Sequence, residues 1–277
     1  MSFRAAEQKE IDKLYQKTFK QTHKEQKNMP LNVVLSVSVS QPLNQLGAQI
    51  LHCLGVFAAY VIPWLVILIP IRFLTKLPSY VFRKLLHFVA FTCVTLMILK
   101  AGSWQAAALT AVLIAVVAYP ILAALESASW FAKLFVQKSK GEIKRSLLLL
   151  MFMFAAVISV CWGVFGQPHL AAAAILMWGA GDAAAALVGI PFGKHKVKSR
   201  FTDGKKSWEG SLAMLLVSFL CGMIVLYLVQ KTELPLALLS AGLGALLGTM
   251  TELFSPSEVD TVTVPVVIAA TLLIIIL

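Results

Sequence analysis

Acidic residues are scarce in this chain, which has 277 residues and holds 13 Asp and Glu against 24 Lys and Arg. Charged residues make up 13% of the sequence and hydrophobic residues 59%, a balance outside the range of soluble globular domains. Short segments of period-2 alternation are absent, which argues against an outer-membrane β-barrel. The composition therefore predicts a helical membrane protein.

Several common site motifs are also absent. The chain has no Walker A sequence, kinase glycine-rich loop or GxGxxG fingerprint, which excludes the soluble nucleotide-binding folds. Without a CxxC pair we expect neither a disulfide framework nor a zinc site, and we interpret the four cysteines as packing residues in apolar runs: Cys53, Cys93, Cys161 and Cys221. Nucleic acid is not an expected partner, because membrane orientation and anionic headgroups account for the basic residues.

Long apolar runs dominate the rest of the sequence. We predict a polytopic all-α membrane protein with about eight transmembrane helices and find no convincing internal repeat. The predicted spans are 49–71, 85–101, 104–125, 146–166, 169–190, 208–230, 235–254 and 262–277.

The N-terminal part is more polar than the remainder. Residues 1–30 are rich in lysine and do not have the pattern of a cleavable signal peptide. Apolar residues at helical spacing between Ile11 and Phe19 predict either a helix on the membrane surface or a solvated tail. We therefore divide the chain into a basic polar segment, 1–48, and a multi-span membrane catalytic domain, 49–277.

Positive charge is concentrated in alternate loops, namely 72–84, 126–145 and 191–207. With eight spans these three loops share one face, which the positive-inside rule assigns to the cytoplasm. The same parity places the basic N-terminal tail on the opposite side of the membrane. Either the tail is translocated, or the first apolar run does not cross the membrane as a simple single span. We predict an integral membrane protein with a cytoplasmic active site, in the plasma membrane of a bacterium or an organelle membrane of a eukaryote.

Carboxylates near the spans are the first candidates for chemistry, because ionisable groups are costly at membrane depth. Asp182 lies inside the fifth span among glycines and alanines, where the alternative to a functional role is a hydrogen bond to a neighbouring helix. Glu209 follows Ser207, an expected N-cap, so it is either a favourable first-turn acid or a ligand for a divalent cation. Glu252 ends the seventh span and Asp260 precedes the eighth.

Basic side chains surround these acids in the predicted topology. Arg83, Lys84 and His87 open the second span, where snorkelling cations and a structural histidine are the alternatives to a binding role. The loop 191–207, named the basic loop, holds six cations: Lys194, Lys196, Lys198, Arg200, Lys205 and Lys206. Carboxylates beside an excess of Lys and Arg suit a Mg²⁺-bound polyphosphate. The residues alone predict a membrane enzyme or carrier for a phosphorylated compound.

Four motifs occur in order along the second half of the chain: GD at 181–182, GIPFGK at 189–194, KKSWEG at 205–210, and E-x(7)-D-x-x-x-VP from Glu252. With RKLLHF and GEIKRS upstream, they resemble the family of phytol, farnesol and dolichol kinases. The resemblance covers most of residues 80–277. The related CDP-diacylglycerol synthases share part of the pattern, but the stretch SPSEVDTVTVP favours the kinases. One departure is Thr261, where many kinases of this group have Asn.

The resemblance implies a CTP-dependent kinase that converts a membrane lipid alcohol of the phytol, farnesol, polyprenol or dolichol type into its monophosphate. It implies Mg²⁺ as the cofactor, CTP as the co-substrate and a membrane lipid as the second substrate. The alternatives are a phosphatidate cytidylyltransferase and a non-enzymatic lipid-phosphate transporter. Neither the particular alcohol nor the oligomeric state follows from the sequence.

The same resemblance assigns roles to individual residues. The implied metal ligands are Asp182, Glu209, Glu252 and Asp260, with Asp182 and Glu209 as catalytic residues and Asp182 as the candidate general base. The implied nucleotide-binding residues are Lys194, Lys196, Arg200, Lys205, Lys206, Ser207, Arg83, Lys84 and His87.

Overall fold

The computed structural model describes residues 43–75, 77–126, 131, 141–197, 204, 206–256 and 259–277. These residues are predominantly helical, and the β-structure among them is confined to one isolated antiparallel bridge between Lys196 and Ser207. Residues Asn44–Leu277 form one compact unit. The predicted all-α fold is confirmed. Most of the predicted segment 1–48 lies outside the described residues, so that division of the chain stays a prediction.

Eight long helices follow one another along the described part of the chain. They are α1 (Leu43–Leu74), α2 (Ser79–Lys100), α3 (Trp104–Leu125), α4 (Glu142–Ile158), α5 (Pro168–Phe192), α6 (Trp208–Met223), α7 (Leu234–Phe254) and α8 (Asp260–Ile276). Helices α4 and α6 continue into the π-helical segments Ser159–Val164 and Ile224–Val229. With these extensions, seven helices are long and apolar enough to cross a membrane, and α8 is shorter at 17 residues. The predicted polytopic architecture is thereby confirmed.

Side-chain caps mark two of the helix starts. The Ser103 hydroxyl accepts the Ala106 N–H at the start of α3, 3.4 Å away. The Ser207 hydroxyl accepts the Gly210 N–H at the start of α6, 3.3 Å away. Each bond satisfies one of the backbone donors that a helix leaves unpaired in its first turn. Ser207 is therefore the N-cap that the sequence predicts.

Helix α5 is the most enclosed of the spans and packs through its small residues. A side chain at Gly179 would overlap the ring of Phe91 in α2, and a Cβ at Gly181 would lie 2.2 Å from the Ser218 hydroxyl of α6. Across the same interface, the Ser218 hydroxyl donates to the Met177 carbonyl at 2.8 Å. Close approach at small residues and interhelical hydrogen bonds are the usual sources of helix association in lipid. These contacts hold the part of α5 that carries Asp182 against α2 and α6.

Candidate functional site

Three acids from three helices are each bound by a lysine. Asp182 of α5 accepts a 2.7 Å hydrogen bond from Nζ of Lys84 in α2. The Lys206 ammonium lies 3.1 Å from Glu252 Oε1 and 3.2 Å from Asp260 Oδ2, and it also donates to the Glu252 carbonyl. Lys206 thus joins the end of α7 to the start of α8. These three acids are named the acid cluster.

The two lysine-bound groups belong to one electrostatic site. Asp182 interacts electrostatically with Lys206 as well as with Lys84, and with both Glu252 and Asp260. The Lys206 side chain is only 9% exposed, and those of Glu252 and Asp260 are 12% and 21% exposed. Charges in such a partly buried place interact more strongly than they do in water. Lys206 therefore holds the like-charged Glu252 and Asp260 close together.

The described side-chain hydrogen bonds of Arg83 and His87 in α2 are to groups outside the acid cluster. The Arg83 guanidinium donates to Glu142 Oε1 in the first turn of α4, 3.1 Å away. His87 Nδ1 lies 2.8 Å from the Arg83 carbonyl, and because a carbonyl only accepts, Nδ1 carries the proton. The other ring nitrogen, Nε2, is then an acceptor in the neutral histidine. The Arg83–Glu142 ion pair therefore connects α2 with α4. His87 also interacts electrostatically with Asp182.

Glu209 has a different environment at the base of the basic loop. Its Oε1 accepts the backbone N–H groups of Lys194 at 3.2 Å and His195 at 3.1 Å. The same oxygen lies 2.7 Å from His195 Nδ1. The two arms of the loop are joined by a hydrogen bond from the Val197 N–H to the Lys206 carbonyl, 3.0 Å. Glu209 therefore fixes the backbone where the basic loop leaves α5.

The remaining residues predicted to bind nucleotide fall into three groups. Lys196 Nζ donates to the Gly189 carbonyl at the end of α5, 3.3 Å away. Ser207 is buried and is engaged as the helix cap. Arg200 and Lys205 lie outside the described residues. The structure thus brings Lys84 and Lys206 to the acid cluster and places Lys194 and Lys196 at the start of the basic loop.

Sequence reasoning missed two features of this site. It did not single out His195, whose bond to Glu209 joins residues 14 positions apart in the chain. It gave Lys206 a role toward phosphate but not its pairing with acids 46 and 54 positions away. No local periodicity connects residues so far apart, since these contacts depend on how helices meet. The only available signal was the nearness of all these residues to the ends of spans.

The acid cluster has the donor chemistry for Mg²⁺ in complex with a phosphate. Within the described ranges, no group of three or more His, Cys, Asp or Glu side chains is spaced to hold a metal ion. Mg²⁺ in phosphoryl-transfer sites is usually bound by one or two carboxylates, with phosphate and water completing its shell. Glu252 and Asp260, which share one ammonium group, meet that requirement. The donor set therefore fits a metal–phosphate complex rather than a metal held by protein alone.

These observations define a class: a polytopic helical membrane protein with a lysine-bound acid cluster where helix ends meet. A curated protein, the phytol kinase of Synechocystis sp. (strain ATCC 27184 / PCC 6803 / Kazusa), is 34% identical over 197 residues, covering 68% of this chain and 76% of that protein. No family model matches the chain, and no solved structure matches it. The chain belongs to the polyprenol and phytol kinase family, a family of lipid-alcohol kinases, as its motifs predict.

Proposed function

We propose that the protein is a CTP- and Mg²⁺-dependent kinase that phosphorylates an isoprenoid alcohol of the membrane. One observation supports this function above the others: Lys206 lies between Glu252 and Asp260 and within electrostatic reach of Asp182. Phosphoryl transfer depends on positioned cations and carboxylates more than on covalent catalysis. Family membership supports lipid-alcohol kinase activity, and the four ordered motifs support CTP as the donor.

In the proposed reaction, the oxygen of the alcohol attacks the γ-phosphorus of CTP. A new oxygen–phosphorus bond forms while the bond to the β–γ bridging oxygen breaks, and CDP leaves. Asp182 accepts the proton of the alcohol as general base, and Lys84, 2.7 Å away, orients its carboxylate. The products are the alcohol monophosphate and CDP.

The remaining charged groups bind and position the nucleotide. Glu252 and Asp260 would hold Mg²⁺ together with the phosphates, and the bound ion would neutralise charge on the phosphate oxygens. Lys206 adds positive charge at the same place, and the basic loop supplies Lys194 and Lys196. Glu209 positions the start of that loop through its bonds to backbone amides.

We also propose that the acid cluster faces the cytoplasm. The helix ends on the same side of the bundle as the acid cluster carry many cations. The cytoplasmic ends of membrane helices are enriched in Lys and Arg. The described cations at these ends are Arg72, Arg83, Lys84, Lys144, Arg145, Lys194, Lys196 and Lys206.

Isotope transfer tests this function directly. Purified protein in detergent is incubated with Mg²⁺, an isoprenoid alcohol and CTP labelled either at the γ-phosphate or at the α-phosphate. We expect only the γ-label in the lipid product, and no transfer when Mg²⁺ is removed by chelation. Transfer of the α-label to phosphatidic acid would instead identify a cytidylyltransferase. Absence of transfer to any lipid by folded protein would contradict both enzyme functions.

A further inference from the structure

Two buried hydroxyl groups, one toward the start of α6 and one toward the end of α7, have no hydrogen-bond partner among the described residues. They belong to Ser211 in α6 and Thr249 in α7, which are 5% and 7% exposed. Some buried hydroxyls of the helices are bonded: Ser218 of α6 donates to the Met177 carbonyl at 2.8 Å, and Thr271 of α8 donates to the Val267 carbonyl at 2.7 Å. The hydroxyls of Thr95 in α2 and Ser240 in α7 are, like those of Ser211 and Thr249, buried without a partner in the described part of the chain. Ser211 and Thr249 differ from Ser240 in lying close to the charged ends of their helices, three positions from Trp208 and from Glu252.

An unpaired hydroxyl is unfavourable in the interior of a membrane protein. Transfer of a hydroxyl from water to an apolar environment without a compensating bond costs free energy, and lipid offers no replacement for water. Serine and threonine in helices usually avoid this cost by bonding to the carbonyl four residues earlier. Replacing an unbonded hydroxyl by an apolar group is commonly neutral or stabilising. A stability role therefore does not account for these two hydroxyls.

The contact between α6 and α7 fixes the depth of both hydroxyls. The helices are antiparallel neighbours, and a Cβ at Gly222 would lie 2.9 Å from the Ala241 Cβ. Ser211 precedes Gly222 by eleven positions, and Glu252 follows Ala241 by eleven, roughly 16 Å along each helix. Ser211 consequently lies at the depth of Glu252. Thr249 lies three positions before Glu252, on the same buried side of α7.

The contact between α5 and α6 places Asp182 in the same layer. A Cβ at Gly181 would lie 3.0 Å from Met214, and Met214 precedes Gly222 by eight positions. Thr249 follows Ala241 by eight positions, so Thr249 and Asp182 lie at about the same depth. Ser211 is about one helical turn nearer to the charged ends of the helices.

We propose that Ser211 and Thr249 form the subsite for the hydroxyl group of the lipid alcohol. This inference rests on the proposed kinase function and adds the residues that recognise the acceptor. An alcohol has one donor and two acceptor positions, and each Ser or Thr hydroxyl can either donate or accept. The pair can therefore hold the alcohol oxygen through its acceptor positions while its proton is directed to Asp182. Bound alcohol satisfies two hydroxyls that have no hydrogen-bond partner in the described ranges of the chain.

Steady-state kinetics of Ser211→Ala and Thr249→Val test the subsite. We expect each substitution to raise KM for the alcohol by roughly three- to tenfold, the effect of one lost hydrogen bond, with KM for CTP unchanged. The midpoint of thermal unfolding stays the same or rises, because an unpaired buried hydroxyl has been removed. Thr249→Ser retains a hydroxyl at this position, and we expect its KM for the alcohol to equal that of the unsubstituted protein.

Ser240→Ala is the matched control. Ser240 is also a buried residue of α7 whose hydroxyl has no partner in the described part of the chain, but it lies twelve positions before Glu252. We expect no change in either KM from this substitution. An increase in KM for CTP, or an unchanged KM for the alcohol in Ser211→Ala and Thr249→Val, would overturn the subsite. If the unsubstituted protein transfers no phosphoryl group to any alcohol, the proposed function itself fails.

Discussion

The acid cluster and Glu209 are two regions that look alike in sequence and differ in structure. Asp182, Glu252 and Asp260 are bound by the side chains of lysines, whereas Glu209 is bound by backbone amides and His195. A lysine ammonium on a flexible stem can move from a carboxylate to a phosphate, so its partner acid can exchange it for a metal ion. An acid that accepts backbone amides is fixed, and its removal changes the path of the chain. This difference is the basis for proposing Asp182, Glu252 and Asp260 as reacting or metal-binding groups and Glu209 as a positioning residue.

The largest effect is expected from Asp182→Asn. The substitution preserves the shape of the side chain but removes the proposed general base, so turnover should fall by about 10²- to 10⁴-fold. Initial rates with CTP and an isoprenoid alcohol measure the loss, and thermal unfolding checks that the protein remains folded. Glu233→Gln, at the start of α7 and remote from the acid cluster, is the control and should retain full activity. A near-normal rate in Asp182→Asn would remove Asp182 from the mechanism.

The next effect is a loss of stability in Lys206→Met. This substitution leaves Glu252 and Asp260 close together without their shared ammonium group, and breaking a buried ion pair in this way costs about 3–5 kcal/mol. Unfolding in detergent, followed by circular dichroism, measures the change. Adding Glu252→Gln to Lys206→Met should recover part of the stability, because one unpaired charge is removed. If Lys206→Met unfolds like the unsubstituted protein, the ion pairs do not hold α7 to α8.

The smallest effect is expected at Glu209, where Glu209→Gln is compared with Glu209→Ala. This comparison tests whether Glu209 differs in role from the acid cluster. Glutamine keeps an oxygen for the Lys194 and His195 amides, so we expect activity within a few-fold of the unsubstituted protein. Alanine leaves those amides without their acceptor, and we expect KM for CTP to rise about tenfold or more, as for hydrogen bonds to a charged group. Titration of activity with Mg²⁺ completes the comparison. A raised Mg²⁺ requirement in Glu209→Gln would make Glu209 a metal ligand after all.

The fold was predictable because length and apolarity largely determine a membrane helix. The predicted span 104–125 coincides with α3, and 235–254 differs from α7 by one residue. The largest discrepancies are at the starts of α1 and α2, which begin at Leu43 and Ser79 rather than at residues 49 and 85. Polar residues such as Asn44 and Gln45 lowered the hydropathy at the start of α1, and Arg83 and Lys84 lowered it at the start of α2, although all four are compatible with a helix. Hydropathy identifies the membrane-spanning part of a helix and not the turns that extend beyond it.

The candidate site was predictable only as a set of residues. Charge at the ends of spans and the four motifs indicated Asp182, Glu209, Glu252 and Asp260, but the partners of these acids depend on the rotation and register of packed helices. Lys206 illustrates the limit: its position in the basic loop indicates a phosphate ligand, and the structure pairs it with two acids. Ser211 illustrates another limit, because a serine in an apolar helix carries no sequence signal that its hydroxyl lacks a partner among the described residues.

The single ammonium group of Lys206 has a consequence for how three helix ends respond to a charged ligand. Lys206 directly precedes the N-cap of α6 and contacts acids at the end of α7 and at the start of α8. A ligand that draws this ammonium away from one acid draws it away from both, because the two ion pairs share one positive charge. The ends of α6, α7 and α8 therefore respond to such a ligand as one unit.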